Sequence, residues 1–374
     1  MRSTLPRAPV RSSARSDLLE RQFKRYCPHY QGAVRALASR HPRIADLALS
    51  FPTLLFALAA PRRGLDPAWA IARAIAGAPL AEVAAGAGMP LWLRRLPPEA
   101  LARPIGRLPD SNSFRRQIAN HLPSRKVAST WLGAVADAAE LADEAFAIWI
   151  AREIVRDQRS VKLKRLRLVG LWAWFSGQPD TFGGSLIRKR WTADIRFQAA
   201  LEAADDWHDT LLLYVDLGRE PITELWLQPA HVCGYDFQPL ASAAEIAAEA
   251  VAMSNCVRTY GEDVAQNVSR LWSVRKDGQR VATLGVAFCF EDPVPHVNQI
   301  KGARNSKASS ELWWAARRWL NMHDLSWLDP KKKAWGSVPL DRETWTSLWR
   351  PYWLAKRRFP EWLPLAPSKA FKRL

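Results

Sequence analysis

Cysteine is scarce in this chain: only Cys27, Cys233, Cys256 and Cys289 occur among its 374 residues. Four widely spaced cysteines are too few for the disulfide framework of a small secreted domain. The Arg- and Ser-rich N-terminus is not followed directly by an apolar segment with a small-residue cleavage site, which argues against a secretory signal. The sequence therefore predicts a reducing, cytoplasmic location.

Long hydrophobic runs are also missing. The most apolar stretch covers residues 44–60, and it contains Asp46 and Pro52. A membrane-spanning helix needs about 20 predominantly apolar residues, so this stretch is too short and is interrupted. It predicts a buried helix that breaks near Pro52, and no membrane partner is expected.

Sequence motifs for cofactors and metals are absent. There is no P-loop, no dinucleotide-binding fingerprint and no HExxH motif. The close Cys/His pairs, Cys27 with His29 and His231 with Cys233, have one residue between them, whereas structural zinc pairs usually have two to four. We therefore expect neither a metal nor a cofactor.

Acidic residues are too few to balance the basic ones: 36 Asp and Glu stand against 54 Lys and Arg, giving a net charge of +18. The excess lies at the ends, because residues 1–40 carry +7 and residues 331–374 carry +8. Basic ends on a nearly neutral body are typical of proteins that bind nucleic acid by releasing phosphate counterions. The alternative is that the charge serves solubility alone.

Tryptophan is abundant, with 19 Trp against 13 Phe and 6 Tyr. Trp345, Trp349 and Trp353 are spaced four apart, which predicts a stripe along one helix face. The stripe is either a packing surface or a base-stacking platform. In the second case, its cations are the residues that follow, namely Lys356, Arg357 and Arg358.

The composition changes along the chain and predicts four segments. Residues 1–17 form a basic flexible tail, residues 18–214 a helical domain, residues 215–330 an α+β domain, and residues 331–374 a basic, Trp-rich C-terminal segment. The predicted fold class is α+β and predominantly helical, with a small antiparallel sheet flanked by helices in the C-terminal unit.

The α+β domain begins with a helical pattern and continues with strands. Apolar residues recur at helical spacing and predict a buried seam, with Gly261 as a possible C-terminal cap of a first segment; they are Ile246, Ala250, Met253, Val257, Tyr260 and Val264. "SRLWSVR" and "QRVATLGVAFCF" read as strands joined by a "KDG" turn, and "HVNQIKG" as a third strand. A polar loop then leads into the helix "ASSELWWAARRWLNMHDL".

This order of residues over about 240–325 resembles the PcfJ family, which is named after a protein of a conjugative plasmid and occurs on bacterial and phage genomes. The resemblance implies a plasmid, phage or mobile-element setting, and it does not supply a biochemical activity. Gly285 departs from the family pattern, which has an acidic residue two positions after Thr283. The family pattern falls on Asn255, Cys256, Val257, Tyr260, Ser273, Arg275, Thr283, Gln299, Gly302 and Asn305.

Cys256 has two interpretations. Next to the apolar seam, a cysteine is normally a buried packing residue, and we expect this role. A nucleophilic cysteine needs a base and an orienting group, which His296 with Asn298 or Gln299 could supply. Cys256 and His296 are therefore the candidate catalytic residues if the protein is a hydrolase.

The loop "QIKGARNSK" is a candidate anion-binding site. Gly302 permits a tight turn, Lys301 and Arg304 carry positive charge, and the N-terminus of the following helix has unpaired N–H groups. An ordinary strand-to-helix turn with solvated cations is the alternative. The candidate binding residues are Arg275, Gln299, Lys301, Gly302, Arg304 and Asn305.

Three functions remain open from the sequence. The leading hypothesis is nucleic-acid binding, with DNA and RNA not distinguished. The second is an enzyme, either for phosphodiester chemistry centred on Arg275, Gln299 and Asn305 or a Cys256-dependent hydrolase. The third is a scaffold that binds protein partners through Trp-rich surfaces.

Overall fold

A computed structural model of the chain describes residues 11–62, 64–105, 108–288, 294–328 and 342–357. Within these residues, helices come first and a five-stranded antiparallel sheet follows, so the predicted α+β, predominantly helical class is confirmed. The helices are α1 (Arg11–Phe23), α2 (Pro28–Ala38), α3 (Pro42–Ser50), α4 (Pro52–Ala59), α5 (Ala68–Ala76), α6 (Leu80–Gly86), α7 (Asn112–Ile118), α8 (Ala128–Leu141), α9 (Glu144–Arg156), α10 (Leu166–Ser176), α11 (Phe182–Ser185), α12 (Phe197–Leu217), α13 (Ala243–Met253), α14 (Gly261–Ala265), α15 (Ser310–Leu320) and α16 (Arg342–Lys356). The strands are β1 (Ala230–Val232), β2 (Tyr235–Pro239), β3 (Ser269–Lys276), β4 (Gln279–Ala287) and β5 (His296–Lys301).

The described residues divide into two compact units. The first takes those of Met1–Trp174 and Arg190–Glu202, and the second takes those of Phe175–Lys189 and Ala203–Leu374. The segment boundary expected at residue 215 lies inside the second unit. The C-terminal part of α12 thus groups with the sheet.

The apolar stretch at residues 44–60 forms two helices of the first unit. Helix α3 ends at Ser50 and α4 begins at Pro52, as the position of the proline predicts. Phe51, Leu54, Leu55 and Phe56 are fully buried, so the run supplies core residues. Among the described residues, no helix has the length and apolar character needed to span a bilayer.

Two further helix starts are informative. Helices α8 and α9 are separate, because the Asp143 carboxylate accepts a hydrogen bond from the N–H of Phe146 and caps a new N-terminus. At the start of the chain, α1 begins at Arg11, within the segment expected to be a flexible tail. Residues 1–10 lie outside the described part.

The sheet of the second unit has the strand order β1-β2-β3-β4-β5, with each strand antiparallel to the next. Asp277 and Gly278 connect β3 to β4 with φ angles of 51° and 77°. Two consecutive positive φ angles are those of a type I′ turn, so the predicted "KDG" hairpin is confirmed. The three predicted strands are β3, β4 and β5, and two short strands precede them.

Helices cover both faces of this sheet. On one face, α15 packs against the sheet; we call this the α15 face, and its core includes Phe237, Trp272, Val274, Leu284, Ile300 and Trp319. On the other face, α13 packs against β4 and α14 against β3, together with the end of α12. We call this the α13 face, and its core includes Leu213, Leu240, Ile246, Ala250, Val257, Val264 and Leu271.

The helical seam expected from Ile246 to Val264 is broken. Helix α13 ends at Met253, and Ser254 adopts a left-handed conformation with φ 50° and ψ 44°. The chain then makes a 3₁₀ turn over Val257–Tyr260 and enters α14, where Gly261 is an ordinary right-handed residue instead of a cap. Met253, Val257 and Val264 are nevertheless all buried, and the turn returns Val257 and Val264 to one core with Ile246 and Ala250.

Trp349 of α16 is a packing residue. Its side chain is 1% exposed, and its ring centroid lies 5.9 Å from that of Phe175. Trp353 is half-buried with the Arg357 guanidinium 5.0 Å from its ring, whereas the side chain of Trp345 and all of Arg358 lie outside the described residues. The packing interpretation therefore holds for Trp349.

Candidate functional site

The polar residues of the family resemblance gather on the α13 face of the sheet. Side chains alternate along a strand, and directly paired residues share a face. Ser273 pairs with Thr283, Thr283 with Lys301, and Gly285 with Gln299. Since Thr283 contacts α13, all these positions face that helix.

A hydrogen-bonded chain connects α13 to β4. The Nδ2 group of Asn255 donates to the Thr283 hydroxyl at 2.8 Å, and this hydroxyl donates to Oε1 of Glu249 at 2.9 Å. The Asn255 side-chain oxygen accepts from the backbone N–H of Val257 at 3.3 Å. Asn255 therefore fixes the chain turn after α13 against the sheet.

Glu249 lies in this candidate site, and the sequence analysis missed it. It is fully buried, and its Oε2 atom accepts from Nε of Arg280 at 2.8 Å. A buried carboxylate needs such partners because its desolvation is costly. Its position in the sequence could have indicated that it is buried. Glu249 lies three residues after Ile246 and four before Met253, on the apolar seam itself.

Gly285 stands where the family pattern has an acidic residue. A Cβ atom at this position would lie 2.6 Å from Oδ1 of Asn298 and 3.2 Å from Cγ of Gln299. An acidic side chain here would require Asn298 to rotate away. In this chain the carboxylate near Thr283 comes instead from Glu249.

Two further polar groups on this face have no hydrogen-bond partner among the described residues: Oγ of Ser273 and Nε of Arg275, both buried. Asp236 lies opposite Arg275 in the β2–β3 pair, but its carboxylate is 2.7 Å from Nδ1 of His231. Arg275 thus keeps donor capacity for a bound acceptor.

Cys256 is exposed, so the expectation that it packs in the core is wrong. Because α13 ends at Met253, Cys256 does not continue the helical spacing and points away from the seam. Its Sγ atom lies 3.9 Å from Nδ2 and 4.0 Å from Oδ1 of Asn305. The two residues of the motif meet at the protein surface.

His296 is not brought to Cys256. In the β4–β5 pair, His296 is opposite Ala287, whereas Lys301 is opposite Thr283, beside Asn255. Five residues of strand separate the Cα atoms of His296 and Lys301 by roughly 16 Å. No described histidine hydrogen-bonds to Cys256, and the arrangement of a nucleophile with its base is not formed.

The loop at residues 301–307 is closed by its own backbone. Gly302 donates its N–H to the Ser306 carbonyl at 2.9 Å, and Lys301 forms an antiparallel bridge with Lys307. Gly302 has an extended backbone with φ −73°, and a Cβ atom at this position would lie 2.6 Å from the Ser306 Oγ, so a larger residue would require this hydroxyl to rotate. Arg304 and Asn305 both have positive φ, of 54° and 59°.

This 301–307 loop carries unpaired positive charge. Lys301, Arg304 and Lys307 are exposed, and none of them forms an ion pair with a described residue. A left-handed conformation costs a non-glycine residue about 1–2 kcal/mol, and here the backbone bonds of the loop hold Arg304 in it. The loop thus presents its cations from a backbone held by its own hydrogen bonds.

The N-terminus of α15 contributes less than expected to an anion site. The Ser309 hydroxyl accepts from the N–H of Leu312 at 3.2 Å, and Glu311 places a carboxylate in the first turn. These groups already satisfy part of the helix terminus and its dipole. Anion binding in this region therefore depends on the side chains of the 301–307 loop, and Arg275 is a separate donor on β3.

Within the described residues, no group of three or more His, Cys, Asp and Glu side chains is arranged to hold a metal ion. The carboxylate nearest the motif, that of Glu249, is already bound by Arg280 and Thr283. This arrangement offers hydrogen-bond donors and positive charge, which suit binding of an anion better than general acid–base chemistry.

Comparison of the chain with models of protein families, with curated proteins and with solved structures gave no match. The features of the chain that bear on function are the geometry of the α13 face and that of the 301–307 loop.

Proposed function

We propose that the chain is a PcfJ-like protein of a mobile-element, plasmid or phage-related setting that binds nucleic acid in the cytoplasm. The 301–307 loop contacts the phosphate backbone. The observation that carries the proposal is the loop's three exposed cations, Lys301, Arg304 and Lys307, which lack ion-pair partners in the described part of the chain.

The electrostatics of the whole sequence support this proposal. The net charge is +18, and its excess lies at the two ends. The two ends hold 20 Lys and Arg residues, of which nine lie outside the described residues. We assign a defined contact to the loop and attraction that does not depend on sequence to the ends. Asn305 adds a donor for phosphate oxygens or base edges within the loop, and Arg275 adds another on the α13 face.

Binding is favoured over catalysis by the hydrogen bonds around the motif. Glu249 is paired with Arg280, and Cys256 hydrogen-bonds to no described histidine. Either enzyme hypothesis requires an available base, which these contacts do not provide. Binding of protein partners is compatible with nucleic-acid binding and would be a separate function.

The proposal is tested by replacing Lys301, Arg304 and Lys307 with Ala and measuring binding by fluorescence anisotropy. Single- and double-stranded DNA and RNA of one length are compared over about 50 to 200 mM salt. Each lost phosphate contact lowers the slope of log K against log salt by about 0.9 on duplexes and about 0.7 on single strands. The triple variant is therefore expected to lose up to about three units of slope on duplexes and about two on single strands.

The matched control replaces Arg116, Lys162 and Lys164, three exposed cations of the first unit, with Ala. It removes the same charge and is expected to retain the loop-dependent part of the slope. Equal losses in both triple variants would mean that only the net charge matters and would reject the loop as the contact. An absence of binding by the unmodified protein to all four nucleic acids would reject the function.

A further inference from the structure

Outside the α13 face, one groove of the second unit combines an exposed aromatic ring with cations. It lies between the end of β3, the β1–β2 turn and the first turns of α15. Its lining residues are Cys233, Tyr235, Lys276, Ser310, Glu311 and Trp314. Trp314 is 57% exposed, whereas Trp319 on the same helix is fully buried in the core. More than half of Trp314 is therefore accessible to a ligand.

Cations lie over both aromatic rings of this groove. The Arg318 guanidinium is 5.3 Å from the centroid of the Trp314 ring, and the Lys276 ammonium is 5.5 Å from that of Tyr235. Glu311 is the one acidic residue among the lining residues. An exposed aromatic ring beside cations is the arrangement by which proteins stack bases and bind the adjacent phosphates of single strands.

We propose that the Trp314 groove is a subsite for one base of a single-stranded nucleic acid. This inference rests on the proposed function and specifies its ligand. The base stacks on Trp314, while Lys276 and Arg318 contact the flanking phosphates. The Glu311 carboxylate accepts a hydrogen bond from an exocyclic amine, which favours cytosine over thymine or uracil.

The position of the groove along the chain supports this occupant. Ser310 follows Lys307 by three residues, so their Cα atoms are at most about 11 Å apart. A strand whose phosphates contact the 301–307 loop can thus reach the Trp314 ring. The polar lining and the two cations, Lys276 and Arg318, suit a nucleotide. An apolar protein segment would require a larger continuous apolar patch.

The test compares Trp314→Ala, Trp314→Phe and the control Trp327→Ala in the full-length protein. Trp327 is 58% exposed and does not line the groove, which makes it a matched control. The probes are a single-stranded oligo-dC, an oligo-dT and an abasic oligonucleotide with the same number of phosphates, and affinity is measured by fluorescence anisotropy at fixed salt.

Trp314→Ala is expected to weaken oligo-dC binding by about 5- to 150-fold, with an unchanged salt slope. Trp314→Phe, which keeps a ring, retains much of the affinity, and Trp327→Ala binds as the unmodified protein does. All four proteins bind the abasic probe equally. Glu311→Gln reduces the preference for oligo-dC over oligo-dT.

Equal binding of oligo-dC by the unmodified protein and Trp314→Ala would overturn the subsite while leaving the proposed function intact. A loss of affinity for the abasic probe in Trp314→Ala would also overturn it, because stacking cannot act without a base. If the unmodified protein bound none of these single-stranded probes, the subsite would be overturned, whereas the proposed function would fail only if duplex DNA and both forms of RNA were also left unbound. As a measurement without a variant, ultraviolet crosslinking of 5-iodo-dC oligonucleotide should label the peptide that contains Trp314.

Discussion

The Glu249 carboxylate and the Arg280 guanidinium form an ion pair of 2.8 Å in which only the carboxylate is fully withdrawn from water. The Glu249 side chain is 0% exposed and that of Arg280 is 37% exposed. The two partners therefore depend on each other unequally. Arg280 can be hydrated alone, but Glu249 cannot.

The first prediction follows from this asymmetry. Arg280→Met keeps the apolar stem and leaves an unpaired buried carboxylate, so it should lower the free energy of unfolding by about 3 kcal/mol or more. Glu249→Ala leaves Arg280 to water and mainly deprives the Thr283 hydroxyl of its acceptor, at about 1–3 kcal/mol. Urea unfolding measures both values.

The control for this pair is Arg116→Met, at an exposed position, with an expected change within about 0.5 kcal/mol. The double variant should lose less than the sum of the single variants, because the contact is removed only once. A larger loss for Glu249→Ala than for Arg280→Met would contradict the asymmetry.

A second prediction concerns Asp216 near the end of α12. Burial, together with the nearby negative charge of Glu262, raises the pKa of Asp216 to about 6. The folded state thus holds this proton more tightly than the unfolded state, whose Asp pKa is about 3.9. The stability contributed by this group is present below about pH 4 and is lost as the pH rises to about 6.

Asp216→Asn removes this titration. The variant and the unmodified protein should have similar stabilities near pH 4, and the variant should become the more stable of the two between pH 4 and 6, with a constant difference above that. Thermal unfolding at a series of pH values measures the difference. A stability difference independent of pH would show that Asp216 titrates alike in both states.

The third prediction separates the two kinds of tryptophan. Trp349→Ala should lower the free energy of unfolding by about 3–5 kcal/mol, because it empties a fully packed site beside Phe175 and Tyr352. Trp327→Ala removes the same ring from an exposed position and should change stability by less than about 0.5 kcal/mol. Comparable losses from the two variants, measured by urea unfolding, would be inconsistent with this assignment.

The fourth prediction uses the exposure of Cys256. In the folded protein, a maleimide reagent should label Cys256 rapidly, together with the exposed Cys233, and peptide mass spectrometry distinguishes the two sites. Because a binding role for this region does not need a nucleophile, Cys256→Ser should bind oligonucleotides within about twofold of the unmodified protein. Labelling of Cys256 only under denaturing conditions would return it to the core.

The local turn chemistry of the sheet could be predicted from the sequence. An Asp-Gly pair between two strand-like runs, here Asp277 and Gly278, strongly indicates a hairpin, because few residue pairs tolerate two positive φ angles. The break after Met253 could not be predicted in this way. Ser254 has no intrinsic preference for the left-handed region, and Asn255 holds the turn through Thr283, which lies 28 residues further along the chain.

The candidate site could likewise be predicted only where local sequence determines the structure. The motif residues on β3, β4 and β5 share a face because of strand register, which alternation along a predicted strand suggests. Glu249 was missed because its partners, Arg280 and Thr283, become neighbours only when α13 packs on the sheet. Spacing alone also does not distinguish a buried Trp349 from an exposed Trp314, since each depends on what covers its helix.

The closure of the 301–307 loop by backbone groups has a consequence for protein engineering. The bonds from Gly302 to Ser306 and from Ser306 to Ala303, and the bridge of Lys301 with Lys307, involve no side chain of Lys301, Arg304 or Lys307. The backbone shape of the loop therefore does not depend on the sign of the charge that its side chains carry. Glutamate at these three positions would convert a cationic surface into an anionic one on the same backbone, which makes the loop a site where ligand preference can be rewritten without redesigning the fold.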